Sequence, residues 1–137
     1  MYRISKTFRA EAAHVLQDTQ TPGCLRLHGH SYKIEFVFES KELNPRTGMI
    51  VDFTVMSNWI KKNIISHIDH QLMVPFDLDI KVSDLTQYNE EILHLNPQPT
   101  AELIAYHCYG ETIKEFPMLK KVRVWETESS YAEFEGE

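Results

Sequence analysis

The strongest constraint on the fold of this chain is the alternation of its side chains over residues 28–38. Every second position carries an imidazole, aromatic or aliphatic side chain: His28, His30, Tyr32, Ile34, Phe36 and Phe38. Successive side chains of a β-strand point to opposite faces, so this period predicts a half-buried strand with both histidines on its apolar face. Residues 2–14 repeat the period, interrupted at Lys6, with one face formed by Ile4, Phe8, Ala10, Ala12 and His14.

Helical spacing replaces this alternation after a turn at residues 44–48. Asp52 is a typical N-cap residue, and apolar residues then recur every three or four positions as far as Ser66: Phe53, Met56, Ile60 and Ile64. Thr100 is the corresponding N-cap of a second predicted helix. We expect this helix to run toward Pro117, since proline cannot continue a helix.

Two more strands close the chain. Residues 122–126 alternate again, a TESS turn follows, and residues 131–134 form the last predicted strand. Residues 71–99 show no clear period, and both a short hairpin and one helical turn remain open there. The order of two strands, two helices and two strands predicts an α+β fold with both helices on one face of an antiparallel sheet.

Length and composition favour a single domain over residues 1–137. A chain of 137 residues that is 42% apolar can bury a core without disulfides. No stretch approaches the roughly 20 apolar residues of a membrane span, and residues 1–5 lead into a strand and not into a signal peptide. We therefore expect a cytoplasmic protein that does not bind membranes.

The formal net charge of −6 argues against general nucleic-acid binding, because affinity for a phosphate backbone comes from basic surface. A small anionic ligand is compatible with this charge if local basic groups meet it. Cys24 and Cys108 are the two cysteines of the chain, and in a reducing compartment we expect no disulfide between them. Any special role of a cysteine is therefore chemical.

Three histidines indicate a candidate metal site. In a strand, His28 and His30 project from one face, and Gly29 between them adds no side chain that would crowd an ion. His14 ends the neighbouring strand with matching parity and supplies a third imidazole. Neutral imidazoles suit zinc, and three protein ligands leave the open position of a catalytic zinc site. The spacing alone is equally compatible with two hydrogen-bonded histidines on a sheet face.

Cys24 lies four residues before His28, so a short loop can bring its thiol near a metal without coordinating it. Positive charge nearby would lower the pKa of this thiol and increase its thiolate fraction. The alternative for an isolated cysteine is a small buried apolar side chain. We adopt that alternative for Cys108, which occupies an apolar position of the second helix.

Two carboxylates are further candidates. Asp69 precedes His70, and a carboxylate beside an imidazole fixes its tautomer and raises its basicity, although such dipeptides are common in loops. His70 also lies three residues after His67, in a second histidine pair that is less organised than the strand trio. Glu126 continues an apolar strand face, where a carboxylate is costly unless it meets a donor-rich partner. The alternative is that Glu126 lies at the end of the strand and is exposed to solvent.

These residues belong to a longer series of motifs. The series resembles the 6-pyruvoyl-tetrahydropterin synthase family over nearly the whole chain, through FRAEAAH (8–14), CLRLHGH (24–30), GMIVDF (48–53), IDHQLM (68–73), PTAELIA (99–105) and VRVWET (122–127). The spacing C-x-x-x-H-G-H is similar to that of the 6-carboxy-5,6,7,8-tetrahydropterin synthase branch. Gln98 departs from the asparagine often found there, and residues 74–96 form a longer segment than in compact members. These departures concern the rim of the pocket and not the metal site.

The resemblance implies a role for each candidate residue. It implies a zinc cofactor with three ligands: His14, His28 and His30. It implies three catalytic residues: Cys24, Asp69 and His70. It also implies substrate-binding residues in a pterin pocket, where a glutamate grips the ring: Glu126, Thr127 and Thr100.

The implied fold is the tunnelling fold, in which ββααββ subunits assemble into a homo-oligomer whose sheets close into a barrel. A trimer or hexamer with active sites between subunits is expected. The implied substrate is a small pterin triphosphate, 7,8-dihydroneopterin triphosphate, which is converted to 6-carboxy-tetrahydropterin, acetaldehyde and triphosphate in queuosine biosynthesis. Arg26 and Lys33 are candidates to bind the triphosphate, by proximity in sequence.

Three alternative functions remain open. The same fold would also suit 6-pyruvoyl-tetrahydropterin synthesis or an aldolase-like cleavage of dihydroneopterin. A zinc hydrolase would carry H-E-x-x-H and a nucleobase deaminase would carry P-C-x-x-C, and neither motif occurs. A non-enzymatic oligomeric module with structural zinc would need a fourth protein ligand.

Overall fold

The computed structural model describes residues 1–78 and 91–137. Two long strands come first, β1 (Tyr2–His14) and β2 (His28–Ser40), as the alternation predicts. Two helices and four strands follow: α1 (Phe53–Asn63), β3 (Leu72–Pro75), β4 (Ile92–Leu95), α2 (Ala101–Ile113), β5 (Leu119–Thr127) and β6 (Ser130–Glu135). Short 3₁₀ turns cover Pro22–Leu25 and Ile65–His67. Every predicted element is found, and β3 and β4 come from the unassigned segment.

The six described strands form one mixed sheet in the order β4-β3-β1-β2-β5-β6. The pairs β1–β2, β2–β5 and β5–β6 are antiparallel, whereas β3 is parallel to both β1 and β4. The predicted antiparallel arrangement is therefore confirmed for the four long strands and wrong for the edge built from residues 71–99. β3 and β4 have four residues each, too few to show a period of two. Residues 79–90 of that segment lie outside the described residues.

Both helices pack on one face of the sheet, as predicted. One continuous core contains buried side chains from five strands and both helices, among them Phe8, Ile34, Met73, Leu95, Val122, Met56, Ile60, Ile104 and Cys108. The register of β1 and β2 continues this face through the pairs Ala10–Tyr32, Ala12–His30 and His14–His28. Since a one-residue slip would expose the whole apolar row, the packing that fixes the register also aligns the histidines.

The two helices begin at the predicted caps. Asp52 accepts hydrogen bonds from two first-turn N–H groups at 2.9 and 3.1 Å, and the Thr100 hydroxyl accepts one at 3.3 Å. These bonds satisfy donors that have no partner within the helix. α1 ends at Asn63, before Ser66, and α2 ends before Pro117. None of the described helices has the length and apolar character needed to cross a membrane.

Candidate metal centre and active site

Three imidazoles meet where β1 ends and β2 begins. His14 is the last residue of β1 and lies opposite His28, the first residue of β2, while His30 follows on the same face. His14 is 1% exposed, and the other two are half-buried. One ring nitrogen of each lies within 4.8 Å of the other two, and residues 1–78 and 91–137 contain no other such group. The structure thus brings the three predicted ligands together.

Hydrogen bonds fix which nitrogen carries the proton in two of these rings. Nδ1 of His14 lies 2.8 Å from the carbonyl oxygen of Pro99, and Nδ1 of His28 lies 2.7 Å from that of Arg26. A carbonyl oxygen only accepts, so both Nδ1 atoms are protonated and donate. In the neutral rings the Nε2 atoms are then unprotonated, and they face each other at 2.9 Å.

This arrangement fits a bound metal ion. Two facing lone pairs repel, and a cation between them converts the repulsion into attraction. Metal-binding histidines commonly donate their other ring nitrogen to a carbonyl, which orients the ring and raises the basicity of the ligating nitrogen. Among the described residues no carboxylate or thiol joins the group. The protein therefore offers three imidazole nitrogens as ligands, a donor set that suits zinc with a further position for a substrate.

Burial keeps the deepest imidazole neutral. The pKa of His14 is lowered to about 4, and burial is the largest cause. The neighbouring His28 and His30 also lower this pKa, whereas the hydrogen bond to Pro99 raises it. Burial likewise lowers the pKa of His30, although the charge of Glu126 opposes the shift. His14 is therefore neutral near pH 7, and neutral imidazole is the form that binds a metal.

Glu126 brings a carboxylate to the edge of the imidazole cluster. Its Oε2 lies 4.0 Å from Nε2 of His30, and its side chain is 32% exposed. It lines two surface depressions of about 470 and 430 Å³, the first together with Thr127 and the second together with Ala101. Glu126 is therefore open enough to accept hydrogen bonds from a ligand that also reaches the imidazoles.

Cys24 lies in the 3₁₀ turn Pro22–Leu25 and is partly exposed. Its carbonyl oxygen accepts the N–H of Leu16 at 3.1 Å, which ties the turn to the residues that follow His14. Its sulfur is not part of the group of ligand atoms within 4.8 Å of one another. Cys108, by contrast, is fully buried, and burial raises the pKa of its thiol to about 12.

Asp69 and His70 form a carboxylate–imidazole pair on the turn before β3. Asp69 Oδ2 lies 3.1 Å from His70 Nδ1, and Asp69 Oδ1 accepts the N–H of Glu11 at 2.8 Å. His70 has a left-handed backbone with φ of 61°, and its N–H donates to the Glu11 carbonyl at 2.6 Å. This conformation is costly for a residue other than glycine. The contacts with β1 therefore hold the pair in a position that the turn alone would not favour.

The carboxylate–imidazole pair and the imidazole cluster share a surface depression. His70 and His30 both line it, and its volume is about 540 Å³. Its walls also include Leu27, Gly29 and Gln71. His67, the other member of the second histidine pair, binds Glu91 through Nδ1 and Oε2 at 2.6 Å. Within the described residues, His67 and His70 do not form a metal-ligating group.

The remaining predicted residues occupy different places. Thr100 caps α2, directly after the Pro99 carbonyl that binds His14. Thr127 is exposed at the end of β5. Of the two basic candidates, Lys33 lies with its Nζ 3.9 Å from the centroid of the Trp125 ring, and Arg26 is exposed.

Some groups at the site were missed from the sequence. No sequence pattern indicates the roles of the Pro99 and Arg26 carbonyls, because every residue carries a carbonyl. Tyr32 is indicated by the sequence, since it follows His30 on the same face of the predicted strand. Its ring packs edge-on against His14 and His30, with centroids 6.0 and 5.4 Å apart. Its buried hydroxyl has no hydrogen-bond partner among the described residues, and burial, followed by the charge of Glu126, raises its pKa.

The sequence matches known proteins over almost its full length. The profile of the 6-pyruvoyl tetrahydropterin synthase family matches residues 3–137. A protein of Pyrococcus horikoshii is 36% identical over 96% of this chain and 88% of its own length. Two proteins named 6-carboxy-5,6,7,8-tetrahydropterin synthase are 32% identical (Aquifex aeolicus) and 28% identical (Haemophilus influenzae). These two alignments cover 99% and 98% of this chain, and 99% of each relative.

Solved structures share the fold. The 6-pyruvoyl tetrahydropterin synthase of Caenorhabditis elegans has a TM-score of 0.72 at 19% identity, over 99% of this chain and 96% of that chain. The enzyme of the same name from Plasmodium falciparum has a TM-score of 0.75 at 15% identity, over 98% and 97%. These likenesses concern the fold alone and confirm the expected tunnelling fold. With the profile match added, the chain belongs to the 6-pyruvoyl tetrahydropterin synthase family.

Proposed function

We propose that this chain is a zinc-dependent 6-carboxy-5,6,7,8-tetrahydropterin synthase. It would convert 7,8-dihydroneopterin triphosphate to 6-carboxy-tetrahydropterin, acetaldehyde and triphosphate, with one water consumed, on the route to queuosine. The observation that carries the proposal is the cluster of three imidazoles with a half-exposed carboxylate 4.0 Å away. The names of the relatives from Aquifex and Haemophilus support the choice of product.

His14, His28 and His30 would hold the zinc ion. Bound zinc supplies Lewis acidity at the hydroxyls of the substrate side chain, which makes the carbon-bound protons beside them more acidic. The carbonyls of Pro99 and Arg26 orient two of the rings through their Nδ1 protons. Little reorganisation of these ligands is therefore needed when the metal binds.

Cys24 and His70 would move the protons. The Cys24 Sγ takes or returns a proton on one side of the substrate side chain, and the His70 imidazole does so on the other. Asp69, 3.1 Å from His70 Nδ1, orients that ring and stabilises its protonated form. The depression that His70 shares with His30 supports a role of both residues on one substrate.

Glu126 would anchor the pterin ring by accepting hydrogen bonds from its amino group and ring N–H. Charge-assisted bonds of this kind are stronger than neutral ones, so they offset the cost of holding a carboxylate away from water. Thr127 lines the same depression as Glu126. Thr100 would border the ring from the start of α2, next to Ala101, which also lines a depression with Glu126.

The active site would be completed by a second copy of the chain. β4 and β6 are the edges of the described sheet, and unpaired edges expose backbone donors and acceptors. Pairing of edges between copies would close the sheets into a barrel, in a trimer or hexamer. The His70 side chain is 79% exposed, so it is accessible to a neighbouring subunit.

Product identification tests this function. The purified protein with zinc is incubated with 7,8-dihydroneopterin triphosphate, and the products are identified by mass. We expect 6-carboxy-tetrahydropterin with equal amounts of acetaldehyde and triphosphate. A 6-pyruvoyl product, or a glycolaldehyde that still carries the triphosphate from an aldolase-like cleavage, would assign the chain to another activity on the same fold.

A further inference from the structure

The Gln98 side chain forms hydrogen bonds with the loop that leads to Cys24. Its Oε1 accepts the backbone N–H groups of Gln17 at 2.9 Å and Asp18 at 3.2 Å, and its Nε2 donates to the Asp18 carbonyl at 2.8 Å. The amide thus uses both its acceptor and a donor on the backbone of two consecutive residues. The side chains of Gln17 and Asp18 take no part in these bonds.

The loop has few other attachments. Residues 15–23 run from the end of β1 to Cys24 and are largely polar. Bonds such as Leu16 N–H to the Cys24 carbonyl and Thr21 N–H to the Thr19 hydroxyl lie within the loop and its turn. Among the described residues, every hydrogen bond that joins residues 17–23 to the chain beyond residues 15–26 comes from Gln98. Gln98 is therefore the hydrogen-bonding restraint on the position of this loop.

The residue after Gln98 acts on the imidazole cluster. Pro99 is buried, and its carbonyl accepts the Nδ1 proton of His14. Two adjacent residues thus act on neighbouring parts of the site. Pro99 holds the His14 ring, and Gln98 holds the loop that follows His14. The same stretch of backbone sets both the orientation of the His14 ring and the course of the chain toward Cys24.

We propose that Gln98 is a positioning residue that holds residues 15–23 so that the Cys24 thiol stays in place beside the imidazole cluster. The proposal rests on the proposed function, in which Cys24 moves a proton. Gln98 acts through the loop backbone and has no bond to a predicted metal ligand or to Cys24 among the described residues. Asparagine is one methylene shorter than glutamine and has a shorter reach.

Amide hydrogen exchange on the full-length, metal-loaded protein tests the restraint without turnover. In Gln98→Ala, exchange at the Gln17 and Asp18 amides should become about tenfold faster, since each loses its acceptor. Gln17→Ala is the matched control, because it changes the loop and leaves the Gln98 bonds available. Exchange at Asp18 should stay unchanged in this control. Unchanged exchange at both amides in Gln98→Ala would overturn the proposal.

Steady-state kinetics tests the consequence for Cys24. Gln98→Ala should lower kcat about tenfold or more, with KM and zinc content close to those of the wild type, because a displaced proton-transfer group slows chemistry without weakening binding. Gln98→Asn should give a smaller loss and decides the matter if the alanine variant does not fold. A lower melting temperature with unchanged kcat would assign Gln98 a structural role and overturn the proposal.

The two measurements separate this inference from the proposed function. If Cys24→Ala turns over normally, or the wild type forms a different product, the proposed function is wrong. The exchange rates at Gln17 and Asp18 still decide whether Gln98 holds the loop. If exchange accelerates and Cys24→Ala is inactive, an unchanged kcat in Gln98→Ala contradicts the positioning role alone.

Discussion

The imidazole cluster and the predicted proton-transfer groups are held in different ways. His14 ends β1 and His28 begins β2, two strands of 13 residues each that pair along their whole length. Backbone carbonyls fix the ring protons of both histidines. Cys24 and His70 lie on turns and are partly or largely exposed. Backbone hydrogen bonds hold the His70 turn against β1, whereas the Cys24 turn is bonded to Leu16 in the loop that follows β1.

This difference suits the role that we propose for each group. Metal ligands must keep a fixed mutual geometry, which paired strands with an enforced register provide. Acid–base groups must reach substrate and exchange protons, which exposed turns allow. Substitutions should therefore separate the two regions, so that changes in the cluster remove metal and changes in the turns remove turnover while metal stays bound.

The largest expected effect is that of His28→Ala. The variant keeps two of three ligands and leaves the His14 Nε2 without its neighbour, so we expect it to lose both the zinc and all measurable activity. Metal content per chain, measured by mass spectrometry of the acid-digested protein, checks this. His94→Ala is the matched control, because His94 is an exposed histidine on β4. Full zinc occupancy in His28→Ala would remove this histidine from the metal site.

The next effect is on turnover alone. Cys24→Ala should keep its zinc and its fold but lose ~100-fold or more in kcat, because a positioned acid–base group is removed. Cys108→Ala is the control, since that thiol is fully buried in the core. It should keep kcat and lose stability on the order of 1 kcal/mol.

Thiol alkylation compares the two cysteines in the wild type. Near neutral pH, peptide mass mapping should show Cys24 modified first, because burial raises the pKa of the Cys108 thiol to about 12 and shields it from reagent. Faster modification of Cys108, or normal turnover in Cys24→Ala, would contradict the thiolate mechanism and leave proton transfer to His70.

The sequence predicts the two regions unequally. The strands that carry the three histidines follow from a period of two, because side-chain parity and register are local properties. The parallel pairing of β3 with β1 depends on contacts that a four-residue segment does not reveal. The position of His70 depends on a left-handed residue held by Glu11, and the restraint from Gln98 joins residues 80 positions apart. The part of the candidate site that lies on strands can thus be predicted from the sequence pattern. The part that lies on turns can be located only from the three-dimensional structure.

Acid should destabilise the cluster of the metal-free protein. Burial lowers the pKa of His14 to about 4, against 6.5 for the free side chain. The unfolded chain therefore binds the proton more tightly, and stability is full above pH ~6.5 and falls as the pH drops toward 4. Between pH ~8 and ~5 we expect a loss of about 2 kcal/mol, measured by urea unfolding after chelation.

A non-titrating variant isolates this effect. In His14→Asn the amide still donates to the Pro99 carbonyl but takes up no proton in this range. The dependence of its unfolding free energy on pH should be flatter than that of the wild type. An equal loss of stability in both proteins would show that the acid sensitivity arises outside His14.

The smallest expected effect concerns Glu126, which belongs to both sides of the comparison. It is placed by a strand, as the imidazoles are, yet its carboxylate is 32% exposed, as the turn groups are. Glu126→Gln keeps the shape and loses the charge-assisted bonds, so the dissociation constant for a reduced pterin should rise about tenfold while zinc content and melting temperature stay close to wild type. Glu128→Gln, at an exposed carboxylate of the same depression, controls for the change in net charge. Equal affinities in the two variants, measured by calorimetry, would show that Glu126 does not bind the pterin ring.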